Sequence, residues 1–224
     1  MNKYAGKYFS ILGDSISTFE GYNLPGYLCF YSGDTRELSG VKAVEDTWWM
    51  TVINELGGKL LINESCAGTC ITGKSPMSGC SNRRISLLRT EERDPDVILV
   101  GMGSNDRGFG VKLDSPKSSD TNYFTNALRM MIKRLRTAYP EAELWCSTFA
   151  PGRYTGCAPL FYDPENRPPA EPYLERIRSV TAEMQCNLAD LDSLGREYDS
   201  IDGCHPTKEG MRALAEMWLH FLKD

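Results

Sequence analysis

Histidine is scarce in this chain: 224 residues contain two, His205 and His220. Any imidazole chemistry is therefore confined to two positions. The longest run that reads as buried, Val97 to Met102, is far too short to span a bilayer, so membrane insertion is not expected. The N-terminus, MNKYAGKYFSILGDS, has no continuous apolar stretch before Gly13 long enough for a signal peptide, and no small-residue cleavage site follows. Met1 is read as a native start and the expected location is cytoplasmic. Basic residues are not in excess: the formal net charge is −5, which argues against a nucleic-acid backbone as partner. The turn after the first strand has neither G-x-G-x-x-G nor a P-loop lysine, so a nucleotide-cradling module is poorly supported. There is no G-x-S-x-G elbow, internal repeat or low-complexity tract.

Hydrophobic residues make up 41% and charged residues 25% of the chain, enough for a single domain over 1–224 with a substantial core. Eight cysteines permit disulfides on paper. Cys146 (ELWCSTFA) and Cys186 (MQCNLADL) lie in apolar runs, where a small thiol packs well. Cys66, Cys70 and Cys80 crowd one region without the close ligand pairs of a metal site. Structural thiols and no metal are expected, a bridge among Cys66, Cys70 and Cys80 being the main exception.

Short β-rich segments alternate with helical patterns, the signature of a parallel sheet covered on both faces. Strands are expected at Tyr8–Leu12, Lys59–Asn63, Asp96–Met102, Glu143–Phe149 and Asn187–Leu191. Helices are expected at Thr47–Leu56, capped by Asp46 and ended by Gly57-Gly58, then at Tyr123–Tyr139, Pro172–Met184 and Thr207–Phe221. Two stretches, Glu20–Glu45 and Pro151–Ala170, lack either period and are rich in Gly, Pro and aromatics. Both leave strand C-terminal ends, where open α/β sheets place ligands.

Four strand-end segments carry chemistry-bearing residues. GDSIS (Gly13–Ser17) follows the first strand and can expose the Ser15 hydroxyl at a helix N-terminus. NESCAGT (Asn63–Thr69) and GMGSND (Gly101–Asp106) follow the second and third strands. There a glycine lets a backbone amide approach a ligand, and an asparagine can aim its amide at a developing oxyanion. DGCHP (Asp202–Pro206) precedes the last helix. Its Asp-x-x-His spacing lets a carboxylate hold one imidazole nitrogen while the other faces a nucleophile. His220, late in the last helix (MWLHFLKD), reads as a surface or packing residue, which favours His205 as base. Cys204 adjoins His205 but points elsewhere on a turn, so a cysteine nucleophile is not expected.

Together these segments resemble the four blocks of the SGNH (GDSL-type) hydrolase family, from Gly13 to His205. Gly13-Asp14-Ser15 matches the nucleophile block, Gly68 the glycine block, Gly103-x-Asn105-Asp106 the asparagine block and Asp202-x-x-His205 the last. Ile16 stands where the family name has leucine. The resemblance implies a three-layer α/β/α sandwich with a flavodoxin-like, mostly parallel five-stranded sheet. It implies Ser15 as nucleophile, His205 as base, Asp202 as its acid and no cofactor. It further implies an oxyanion hole from the backbone amides of Ser15 and Gly68 and the side chain of Asn105, with Asp14 and Asp106 in supporting roles that shape the turns.

The substrate is less legible. Tyr22, Tyr27, Phe30, Tyr31, Trp48, Tyr154, Phe161 and Tyr162 lie on or beside the long loops, and Arg107 and Arg153 at strand ends. Trp48, Arg107 and Tyr154 are the expected substrate contacts. No long hydrophobic lid is visible, which weighs against a triglyceride lipase. The expected partner is a small ester, with deacetylation of a carbohydrate or other small molecule first and thioester or lysophospholipid cleavage second. A catalytically lapsed binding module is the reading from another class.

Overall fold

A computed structural model gives the architecture and describes residues 2–115, 117, 119–163 and 165–223; Met1, the expected native start, lies outside them. Five strands form one parallel sheet: β1 (Tyr8–Gly13), β2 (Lys59–Ser65), β3 (Val97–Gly101), β4 (Glu143–Ser147) and, after a short outlying strand β5 (Gly152–Tyr154), β6 (Asn187–Ala189). Their spatial order is β2-β1-β3-β4-β6. The strands alternate faces, as a sheet covered on both sides requires. Phe9 and Ile11 of β1 and Val97 and Leu99 of β3 enter one core; Leu12, Ile98 and Val100 enter the other.

The first core lies under α2 (Trp48–Glu55) and α7 (Lys208–Leu222), whose Trp48 and Trp218 rings stack at 5.0 Å. The second lies under α3 (Asn82–Ser86), α5 (Phe124–Ala138) and α6 (Glu171–Glu183). The result is the expected three-layer α/β/α sandwich. Among the described residues no helix is long and apolar enough to cross a membrane.

The differences from expectation are local. Glu20–Glu45 is not structureless: α1 (Gly33–Ser39) runs through it, with Ser32 at its N-cap and Gly40, at φ +74°, at its C-cap. Seven residues are too few to display a helical period. The cap of α2 is Thr47, whose hydroxyl accepts from the Met50 N–H, and not Asp46. The Asp46 carboxylate instead accepts from the Lys42 and Ala43 N–H groups. Within Pro151–Ala170, β5 pairs in parallel with β7 (Tyr198–Ser200) as a second, two-stranded sheet. All eight cysteines are free thiols, Cys66, Cys70 and Cys80 included.

β1 connects to β2 on one side of itself, and the chain then returns to lay β3 on the other side. That reversal opens a crevice between the C-terminal ends of β1 and β3, where such sheets bind ligands. The crevice sets the location of the site.

Candidate active site

Ser15 leaves the end of β1 in a 3-10 turn, Ser15–Ser17, whose N-cap is Asp14. The strand can end this tightly because residue 13 is glycine: a Cβ there would come within 2.5 Å of both Ser17 and Ser65. The Asp14 carboxylate accepts from the Ile16 N–H at 3.1 Å. It is fully buried, and burial pushes its carboxyl up to about 7 against that hydrogen bond and the nearby Arg84 charge.

The Ser15 hydroxyl lies 2.9 Å from Nε2 of His205. Nδ1 of the same ring lies 2.7 Å from Asp202 Oδ2. The other Asp202 oxygen accepts the backbone N–H groups of Cys204 (3.0 Å) and His205 (2.7 Å), so the Asp-x-x-His turn is closed on itself. Burial works to raise the Asp202 carboxyl, yet the His205 ring and these N–H donors hold it below the ordinary carboxylate range. The His205 ring is fully buried, with Phe30 stacked on its face at 3.5 Å and Phe161 edge-on at 4.7 Å. Serine, imidazole and carboxylate thus form one hydrogen-bonded line across 190 residues of sequence.

Asn105 opens α4 (Ser104–Gly108) at the end of β3. Its Nδ2 donates to the Thr69 carbonyl at 2.9 Å, and its Oδ1 accepts from the Tyr162 hydroxyl at 2.6 Å. These two bonds settle which way the amide points. Gly68 has φ +75°, in the left-handed region, and a Cβ there would meet nothing within 4 Å. Neither the Ser15 nor the Gly68 backbone N–H has a protein acceptor among the described residues. Asp106 ties the two loops together by accepting from the Ile71 and Thr72 N–H groups at 2.8 and 3.1 Å. Burial lifts its carboxyl to about 6 despite those bonds.

The expected substrate contacts fare differently. Trp48 is a correction: it is 2% exposed, donates its indole N–H to the Ser17 hydroxyl and stacks in the core. It borders a cavity of about 50 Å³ with Asp14, Ser17, Ser104, Ser147 and Trp218, room for a few water molecules. Tyr31 is likewise buried, its hydroxyl on the Pro206 carbonyl. Tyr154 is exposed on β5, but its hydroxyl is tied to the Ala158 carbonyl. Among the described residues no hydrogen bond or ring contact joins it to Ser15, Asn105 or His205. Arg153 is engaged with Asp199 at 2.7 Å. Arg107 is half-buried beside Asn105. Cys204 is buried, and burial with the charges of Asp14 and Asp202 pushes its thiol up to about 12, far from a thiolate nucleophile. His220 is on the surface, its ring edge-on to Phe221.

Two further residues organise the site: Arg84, which gave no signal in the sequence, and Tyr162, which stood there only as one of several loop aromatics. Arg84 is fully buried: Nε meets Glu64 at 2.7 Å, Nη2 donates to the Gly13 and Glu64 carbonyls at 2.8 Å, and Nη1 reaches Thr69 at 3.0 Å. It clamps the end of β1, just before Ser15, to the loop after Gly68. Tyr162 packs so closely on α4 that a Cβ at Gly108 would come within 2.2 Å of its ring. Among the described residues no three His, Cys, Asp or Glu side chains group as metal ligands.

A flavodoxin-like sheet with Ser, Gly, Asn and Asp-x-x-His at successive strand ends is the architecture of the SGNH hydrolases. The chain belongs to the GDSL-like lipase/acylhydrolase family, whose profile matches residues 7–149. Among solved structures it resembles a protein described as a GDSL-like lipase from Bacteroides ovatus, 25% identical, with a TM-score of 0.78 and 98% and 99% of the two chains covered. A second, from Bacteroides uniformis, is 26% identical with a TM-score of 0.73, covering 96% and 94%. A family two carbohydrate esterase from Clostridium thermocellum, solved with cellohexaose, shares the fold at 14% identity and a TM-score of 0.61, over 99% of this chain and 65% of that one. No curated protein matches the chain.

Proposed function

We propose that this hydrolase cleaves carboxylic esters of small acyl groups, as an acetylesterase of a carbohydrate or other small molecule, with Ser15 as nucleophile. The observation that carries the reading is the line Ser15–His205–Asp202, with contacts of 2.9 and 2.7 Å. His205 Nε2 takes the hydroxyl proton as Ser15 attacks the ester carbonyl, and ionised Asp202 at Nδ1 steadies the imidazolium that forms. The tetrahedral oxyanion is held by the uncommitted N–H groups of Ser15 and Gly68 and by the Asn105 amide. Preorganised donors of this kind contribute about 3 kcal/mol each in comparable hydrolases. His205 then protonates the leaving alcohol, and water repeats the sequence to release the acid.

The preference for a small acyl group is supported by the rings around the site: Phe30 and Phe161 against His205, and Tyr162 on Asn105. They lie against the imidazole and the amide that serve Ser15. The carbohydrate-esterase neighbour is in keeping with a sugar-borne ester. The test is hydrolysis of 4-nitrophenyl acetate by the Ser15→Ala protein, expected to fall about a thousandfold or more with the fold retained. Activity at the wild-type level would exclude Ser15. A preference of the wild type for long-chain over acetyl esters would exclude the small-acyl reading.

A further inference from the structure

Two arginines meet beside Asn105 without a carboxylate partner. Arg107 is two residues further along α4; its Nε donates to the Pro168 carbonyl at 2.7 Å, and its guanidinium lies 6.0 Å from the Phe149 ring centre. Arg167 comes from the 151–170 segment, next to the Pro168 whose carbonyl holds Arg107. Its Nη2 donates to the Ser104 hydroxyl at 3.2 Å, and its guanidinium covers the Tyr162 ring at 4.3 Å. That is the ring whose hydroxyl holds Asn105.

Among the other arginines that are partly or wholly out of water, Arg84 meets Glu64, Arg176 meets Asp114, and Arg178 meets Asp190 and Asp192, while Arg134 donates to the Cys80 carbonyl. No Asp or Glu oxygen among the described residues lies within the 4.0 Å of an ion pair from Arg107 or Arg167. The Arg167 Nε is buried without an acceptor, and the terminal nitrogens of Arg107 have no protein acceptor among the described residues. Burial, with the Arg167 charge next, brings the Arg107 guanidinium down to about 10. Two like charges held together partly out of water cost free energy, which an anion placed between them removes. Composition does not explain the pair, because acidic residues outnumber basic ones in this chain, 30 to 25.

We propose that Arg107 and Arg167 recognise an oxyanionic group on the substrate, a carboxylate or a phosphate, so that the preferred ester is an anion. Guanidinium forks bind either group with paired, charge-assisted hydrogen bonds. The group docks on the Asn105 side of the site. This rests on the assignment of Ser15 as nucleophile and adds the charge of the substrate to it.

The test compares kcat/KM for matched esters. Mono-4-nitrophenyl succinate against 4-nitrophenyl butyrate places the charge on the acyl side. Acetoxyacetate and 2-acetoxyethyl phosphate, each against 2-methoxyethyl acetate, place a carboxylate or a phosphate on the alcohol side. The expected result is a preference of about tenfold or more for the anion in at least one pair. That preference drops towards one in Arg107→Gln and Arg167→Gln and is partly kept in Arg107→Lys. The pair that responds identifies the group and the side it occupies. No preference for any anionic ester in the wild type, or a preference that both glutamine variants retain, overturns the proposal. The wild-type comparison needs no variant to fold. If the wild type hydrolyses the neutral esters without favouring the anions, the serine-hydrolase reading stands and only the anion site falls.

Discussion

Asp14 lies between the strand and Ser15, and its surroundings make it a carboxyl that resists ionisation. Burial lifts it to about 7 from 3.8, so below about pH 4 the folded and unfolded chains both hold its proton. Between about 4 and 7 the unfolded chain releases the proton while the folded one keeps it, and stability falls as pH rises through that window. The amide introduced by Asp14→Asn would accept from the Ile16 N–H through the same oxygen and has no proton to lose. That variant is therefore expected to gain on the wild type in thermal midpoint by about 5 °C or more as pH goes from 5 to 8. Parallel midpoint curves for the two proteins would refute the account. The acid behaviour of this residue could not be read from the sequence, where Asp14 has only the turn-shaping role that the family resemblance implies. His205 stood out more clearly, because scarcity of histidine left one alternative, His220 late in the last helix, and the Asp-x-x-His spacing favoured His205. Tyr162 shows the opposite limit: its hydroxyl reaches Asn105 from 57 residues away, and only the packing of a long loop on α4 brings it there.

At the scale of elements, the site depends on β1, β2 and α3 being locked together. Arg84 does this from the middle of a five-residue helix, joining the Gly13 carbonyl, Glu64 and Thr69. Glu64 is fully buried too, and its other oxygen accepts the Tyr27 hydroxyl at 2.7 Å. Removing one member of such a pair strands the other charge, at a cost of about 3–5 kcal/mol. Arg84→Met should lose about that much in denaturant unfolding, and adding Glu64→Gln should recover part of it. A single variant within about 1 kcal/mol of the wild type, well short of that cost, would show that the clamp contributes little. The sequence displayed the five sheet strands because each is a short apolar run between helical patterns. It concealed α1, α3 and α4, which are too short for a period and are held by caps and tertiary bonds. The β5–β7 sheet was concealed for a similar reason: three-residue strands pair across 46 positions, and no local pattern announces it.

Across the whole molecule, the reversal of strand order at β1 brings four distant segments to one crevice. The family resemblance was legible because each of those segments sits at a strand end, where local sequence is constrained by backbone geometry. What surrounds the crevice was less so: Trp48 turned inward, and only the folded chain brings Arg167 beside Arg107. The central claim is that this crevice activates Ser15. Reaction with a fluorophosphonate, followed by mass-spectrometric mapping, tests it most directly. Stoichiometric modification is predicted at Ser15, slowed about a thousandfold or more by His205→Ala. A label on any other residue, or equal labelling of the His205→Ala protein, would contradict it.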